Sequence, residues 1–411
     1  MGHAQFFPSV IVESGRNSNI FSQSEEYGNV VPDIYSYIRV PLLWRLPFRQ
    51  SRWDLSYAPG WNNYKENDEL DGPVHDLDTE VELNFSSGAQ LSIRGGVLLD
   101  YLNTQAFGAG EVVYSDQRYT FTEAYVEFEH PFNLGHGMRA QVAYQDLNFN
   151  ESGRNSFVDY TLRDLDLSYL KFLGPGTTLA FALTMSRNDQ ERLVLETEEG
   201  KWSRDGFQVG LEHNFDERDL AQFYVGYDVL SFDRSDDADY AGVVGRFIYQ
   251  RALTPVVYIQ AELVRDPYQS VFNVNNYYLT DRVAVNLLFR PPGRMFFVLA
   301  AAFQRNGYPD ITQEFCRSDA GTVPEPIPPG ETCPDGSVPA TGLGEESIGI
   351  RRQDYLLRWT AGLGVQFNRT SALEFRYQQL SRTSNTPEVE FDTGVVSLEF
   401  RFGWSGQGEN I

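Results

Sequence analysis

Polar and apolar residues alternate with a period of two through most of this chain of 411 residues. In HDLDTEVELNF (75–85), Asp76, Asp78, Glu80 and Glu82 share one parity, while Leu77, Thr79, Val81, Leu83 and Phe85 share the other. FTEAYVEFEH (121–130) sets Glu123, Tyr125, Glu127 and Glu129 against Ala124, Val126 and Phe128. DGFQVGLEHNF (205–215), YLLRWTAGLGVQF (355–367) and VVSLEFRFGW (395–404) repeat the arrangement. Alternation of this kind predicts strands with two unlike faces. The runs last about 9 to 14 residues, longer than the usual strand of about 5 or 6.

The connections alternate as well. Short ones fall at 86–90, 133–137, 173–177, 216–219, 251–254, 290–294 and 368–371. Long polar ones fall at 14–32, 63–74, 102–117, 150–156, 188–203, 233–239, 266–276, 307–350 and 382–391. Counting the runs predicts about 18 strands, with both chain ends on the short-turn side. A sheet of that width curls, splits or closes. Strand length and turn asymmetry match a transmembrane antiparallel up-and-down β-barrel with short periplasmic turns and long extracellular loops. Lipid then receives the apolar faces and water in the lumen receives the polar ones. A soluble sandwich or propeller is the competing class, but a propeller carries a repeat of about 40–50 residues, and none is found.

Composition narrows the function. The formal charge is −24, with 33 Lys plus Arg against 57 Asp plus Glu, which argues against a nucleic-acid binder. With 29 Phe and 23 Tyr the chain is too aromatic for disorder. The longest apolar run is nine residues, Met295–Phe303, too short for a membrane helix. The start, MGHAQFFPSV, lacks the regions of a signal peptide, so a mature form is expected. Cys316 and Cys333 lie 17 apart in one Pro/Gly-rich stretch and fit a loop-stapling disulfide in an oxidising compartment.

No chemistry of an enzyme stands out. The five histidines, at 3, 75, 130, 136 and 213, do not cluster as zinc ligands would, and His213 sits on the apolar parity. No nucleophile elbow, phosphate loop or Cys-Xaa-Xaa-Cys is present, and no cofactor is expected. The acidic segments 65–72 and 233–242 lack the ligand spacing of a helix-loop-helix calcium site and read as solvated loops facing lipopolysaccharide.

The expected inner wall carries the remaining chemistry. Its acids are Asp76, Asp78, Glu80, Glu82, Glu123, Glu127, Glu129, Asp164, Asp166, Glu212, Glu262, Glu374 and Glu399; its bases are Arg94, Arg358, Arg376 and Arg401. The tight 86–90 turn sets Glu82 opposite Arg94, and such pairs neutralise about half of the carboxylates. The excess biases permeation toward cations. Tyr125, Tyr258 and Tyr377 are candidate sugar platforms, Tyr377 reading rather as lipid-facing.

YYLTDRVAVNLLFR (277–290), FQRNGYPD (303–310), RRQDYLLRWTAGLGVQF (351–367) and the stretch 373–404 resemble the β-barrel porin 2 family of bacterial outer-membrane proteins. VPDIYSYIRVPLLWRL and WDLSYAPGWNNY, within 31–64, are similar to that family's opening hairpins. The resemblance implies a Gram-negative outer-membrane barrel, with a periplasmic polysaccharide-export protein as partner in some members. A single barrel over 1–404 with a periplasmic tail at 405–411 is expected. The leading reading is a pore, by resemblance an exopolysaccharide conduit. The alternatives are a general cation-preferring solute porin or a non-conducting scaffold or attachment barrel.

Overall fold

The computed structural model describes residues 3–25, 30–101, 106–107, 111–112, 118–149, 159–191, 199–216, 219–233, 239–269, 277–316, 325–327, 350–385 and 389–403. They form a closed antiparallel barrel of 18 strands. The first strand, Gln5–Asn17, pairs with the last, Phe391–Gly403, from Ser9 opposite Gly403 to Asn17 opposite Val395, so no sheet edge is left open. Closure matters because an unpaired edge would template association or, in lipid, leave bare N–H and C=O groups.

Two strands are interrupted. Asp33–Arg39 and Leu42–Phe48 form one path broken before Leu42, and Ser51–Tyr57 and Gly60–Tyr64 form another broken before Gly60. Pro41 and Pro59 cause both breaks, since neither can donate to the ladder. The ladder steps over them: Val40 N–H donates to the Pro59 carbonyl at 2.9 Å, and Ala58 N–H to that of Asp76 at 2.7 Å.

Turn chemistry fixes the register of the short side. Gly88 takes φ +84°, and Phe85 N–H donates to the Ala89 carbonyl at 2.9 Å, closing Gly72–Asn84 onto Gln90–Tyr101. The side chains of Asn133 and Asn368 accept from Gly135 and Thr370 N–H, each at 2.8 Å, the local bond that favours Asn in turns.

Several expected connections are shortened by the strands that flank them, the one at 307–350 most of all. The connection expected at 307–350 is partly strand: Met295–Cys316 continues to pair with Ile350–Asn368 beyond Gly307, through irregularities at Ile311 and Gln313. A short strand, Glu325–Ile327, then pairs back on Glu314–Cys316. Cys333 and the tail 405–411 lie outside the described residues, and so does the Cys316–Cys333 bond.

The outer face is apolar all round. Leu77, Val126, Leu183, Val225, Leu263 and Phe375 are exposed, on six different strands. A soluble monomer does not present a contiguous apolar surface of that extent. Among the described residues no helix is long and apolar enough to cross a membrane.

Candidate functional site

The inward parity carries a network of ion pairs. Glu80 meets Arg94 at 2.8 Å and Arg52 at 3.1 Å, while Glu82 meets Arg52 at 3.1 Å. The expected Glu82–Arg94 pair is thus corrected by two residues: the turn spans 85–89 and is centred on Ser87 rather than on Gly88, which sets Glu80 opposite Arg94 and Glu82 opposite Ser92. Asp76 pairs with Arg39 at 3.4 Å, and Asp54 with Arg45 at 2.7 Å. Farther round the wall, Glu262 sits between Arg246 at 3.6 Å and Arg282 at 3.3 Å. Glu374 pairs with Arg376 at 2.9 Å, and Glu399 with Arg401. Arg358 shares this face, opposite Ala302 and Leu380.

Two arginines prove which face is inside. Arg139, on His136–Phe149, reaches Glu129 at 3.0 Å on the preceding strand and Glu212 at 2.8 Å on Glu199–Asn214, three strands away. Arg204 binds Asp228 through Nε at 2.6 Å and also reaches Asp266, again three strands away. Such spans close only across the concave side of a curved sheet. Gly210 assists: a Cβ there would lie 2.3 Å from the Tyr224 ring, so glycine lets that tyrosine lie flat on the wall and donate to Glu212.

Sequence reasoning did not single out Arg39, Arg45, Arg52, Arg139 and Arg204, nor Asp54, Asp228 and Asp266. Their signal was present as strand parity: Arg139 alternates with Met138 and Ala140 and shares a face with Gln141, Ala143 and Gln145. Curvature, which joins positions 62 or 73 apart in sequence, was not legible.

Of the thirteen predicted acids, eight are ion-paired: Asp76, Glu80, Glu82, Glu129, Glu212, Glu262, Glu374 and Glu399. Among the described residues no ion pair reaches Asp78, Glu123, Glu127, Asp164 or Asp166. These five lie on three strands of one wall, Gly72–Asn84, Arg118–Asn133 and Asp159–Gly174. Cross-strand register links them: Glu127 faces Gln141, which faces Asp166, which faces Thr184. Asp78 and Glu123 both face Gly96, so nothing stands between them. Tyr125 donates to Glu127 at 2.5 Å. The barrel therefore has an arginine-neutralised majority and one bare acidic stripe.

The inner face carries apolar patches near the loops. Tyr119, Leu147 and Phe149 form a buried cluster at the loop ends of their strands, and Leu356, Leu380 and Phe391 form another. Both lie on the inward parity, yet polar residues continue beyond the second cluster: Arg352 and Asp354 pair at 2.5 Å, and Arg382 follows Leu380 on the same face.

The remaining candidates sort by face. Tyr125 and Tyr258 share the inward parity, and Arg94 lies 5.8 Å over the Tyr125 ring. Tyr377 is outward and packs on Trp359, ring centroids 4.9 Å apart. His213 meets Phe215 edge-on and shares a hydrogen bond with Thr177 at 2.8 Å, a structural role on the outer face. In the acidic segment 65–72, Asp71 accepts from Tyr64 N–H at 2.6 Å, and Asp33 accepts from Glu66 and Asn67 N–H at 3.1 Å. These carboxylates fix a turn. Among the described residues no group of three or more His, Cys, Asp or Glu could hold a metal ion; positions 234–238 of the second acidic segment lie outside them.

No family model matches the chain and no curated protein matches it, so the porin 2 resemblance has no support beyond the quoted strand patterns. Solved structures do match. OccK2 (OpdF) of Pseudomonas aeruginosa, in complex with glucuronate, is 8% identical over 98% of this chain and 99% of that one, with a TM-score of 0.49. OpdK of the same organism, with vanillate, is 10% identical over 97% and 99%, with a TM-score of 0.46. The alcaligin outer-membrane receptor FauA of Bordetella pertussis is 11% identical over 97% and 76%, with a TM-score of 0.41. None of these similarities bears on which solute this chain passes.

Proposed function

We propose that the chain is a bacterial outer-membrane pore whose lumen admits cations and uncharged polar solutes in preference to anions. One observation carries the reading: a closed barrel with an apolar exterior encloses a charged wall on which five carboxylates have no arginine. Only helices and closed barrels satisfy their backbone inside a bilayer. Each outward Leu or Phe shielded from water by lipid contributes about 1.5–3 kcal/mol, which favours the membrane over solution. A one-signed stripe in water concentrates counter-ions beside it. Reconstitution in planar bilayers under a salt gradient is expected to give stable conductance steps with a cation-positive reversal potential. Silence from protein shown folded by heat-modifiable mobility would remove the pore and leave the non-conducting barrel, which the apolar clusters near the loops favour.

The narrower role of exopolysaccharide conduit needs a periplasmic partner on the short turns. Trp44 and Trp53, on the two strands joined by the short 49–50 turn, face outward, where Trp commonly sits at headgroup level. Co-purification of a partner that is lost on substituting the 49–50 turn would support that role. The lipid contact itself is testable: Leu183→Lys, in the middle of the outer belt, is expected to cost about 2–4 kcal/mol of barrel stability in bilayers and much less in detergent, read by urea unfolding.

A further inference from the structure

We propose that a recess in the inner wall binds a hydroxylated amine, of which an amino sugar is the simplest example; the inference rests on the pore reading insofar as the recess is reached through the lumen. The recess has a volume of about 510 Å³, the size of a small-molecule site, and runs from His136–Phe149 round to Val257–Gln269. Its loop-side end is formed by Tyr160, Trp202 and Tyr268, each near the loop end of its own strand. Below them lie Asp164 and Asp166, both without an ion pair.

The bases in the recess are already engaged. Arg204 is held by Asp228 and Asp266, and Arg246 by Glu262 at 3.6 Å, while Arg265 turns outward to Asp281 at 2.7 Å. The residual charge is therefore negative. Three polar atoms on the lining also lack a hydrogen-bond partner: Asp166 Oδ1, Thr184 Oγ1 and Trp202 Nε1, the last on a side chain only 8% exposed. Together they ask for a ligand that donates to a carboxylate and accepts from an indole N–H.

Three simpler ligand classes fit less well. An anionic sugar meets two bare carboxylates. A plain alkyl amine gives Trp202 Nε1 and the amide of Gln208 nothing to bind. A neutral sugar leaves Asp164 and Asp166 without a counter-charge. An ammonium on a hydroxylated ring answers all three, and the aromatic end offers faces for the cation or the C–H surface of the ring.

Calorimetric titration of the purified barrel in detergent with glucosamine, glucose and glucuronate tests this without requiring conduction. Saturable binding of glucosamine is expected, at least about tenfold tighter than glucose, with none for glucuronate. Asp164→Asn with Asp166→Asn should bring glucosamine down to the glucose level. Trp202→Phe, which keeps the ring and removes the donor, should weaken it several-fold in protein whose heat-modifiable mobility is normal. Equal binding of all three probes, no binding of glucosamine, or affinity indifferent to both variants would overturn the proposal. Binding that persists in a barrel silent in bilayers would cost only the pore reading.

Discussion

Arg204→Met is expected to destabilise the barrel by about 3–5 kcal/mol, the usual result of stripping a buried charge of its partner. The reason is Asp228. Its side chain is fully buried, and Arg204 is its ion-pair partner through both Nε and the terminal nitrogen. With methionine at 204, the Asp228 carboxylate must either stay charged in a poorly hydrated wall or take up a proton. Asp266, the other partner, keeps 27% of its side chain exposed and can turn to water. The cost should therefore fall mostly on Asp228. Adding Asp228→Asn to Arg204→Met should recover most of the loss, because removing both partners of a buried pair is far milder than removing one. Urea midpoints of the single and double variants measure this. A single variant within about 1 kcal/mol of the parent, or a double variant no better than the single, would mean the bridge holds nothing together.

Much of this architecture is written in local pattern. Period-two alternation in residues such as 77–85 and 395–404 assigns each side chain a face without reference to any other strand, because a strand cannot turn one residue without turning its neighbours. Loop length then orders the strands. What local pattern could not supply was register and curvature. A turn centred one residue away moves every cross-strand partner by two, which is how Glu80 rather than Glu82 comes to face Arg94. Gly88 settles the point through its positive φ, a property visible in sequence only once the turn type is known. Curvature is harder still. Nothing near Arg139 in the chain names Glu212, since the two meet because the wall bends between them. The apolar clusters at Leu147 and Leu380 were hidden for another reason: each interrupts the polar parity at only one or two positions of a strand.

The bare stripe and the paired ladder should respond differently to the loss of the same charge, and this is the sharpest test of how the lumen selects. Glu123→Gln, Glu127→Gln and Asp166→Asn together are expected to cut the reversal potential under a salt gradient to about half, because each removes a carboxylate that no arginine neutralises. Glu80→Gln with Glu82→Gln should also weaken cation preference, but by another route. Those two carboxylates hold Arg94 and, together with Asp54, Arg52, so their loss leaves Arg94 unpaired and Arg52 with Asp54 alone, and makes that part of the wall locally positive. The routes separate when the arginines are removed too. Arg52→Gln and Arg94→Gln added to the Glu80/Glu82 pair leave the wall's net charge as it began, and cation preference should return to the parent value. Arg94 also lies opposite Tyr125, between Glu123 and Glu127 of the stripe, so the control there is Arg52→Gln alone, which acts on the stripe only through a field screened over about 10 Å at 0.1 M salt and from which no such rescue is expected. If the fourfold variant stays as unselective as the Glu80/Glu82 pair, those carboxylates face the permeating ions despite their arginines, and selection belongs to the whole wall rather than to its unpaired part.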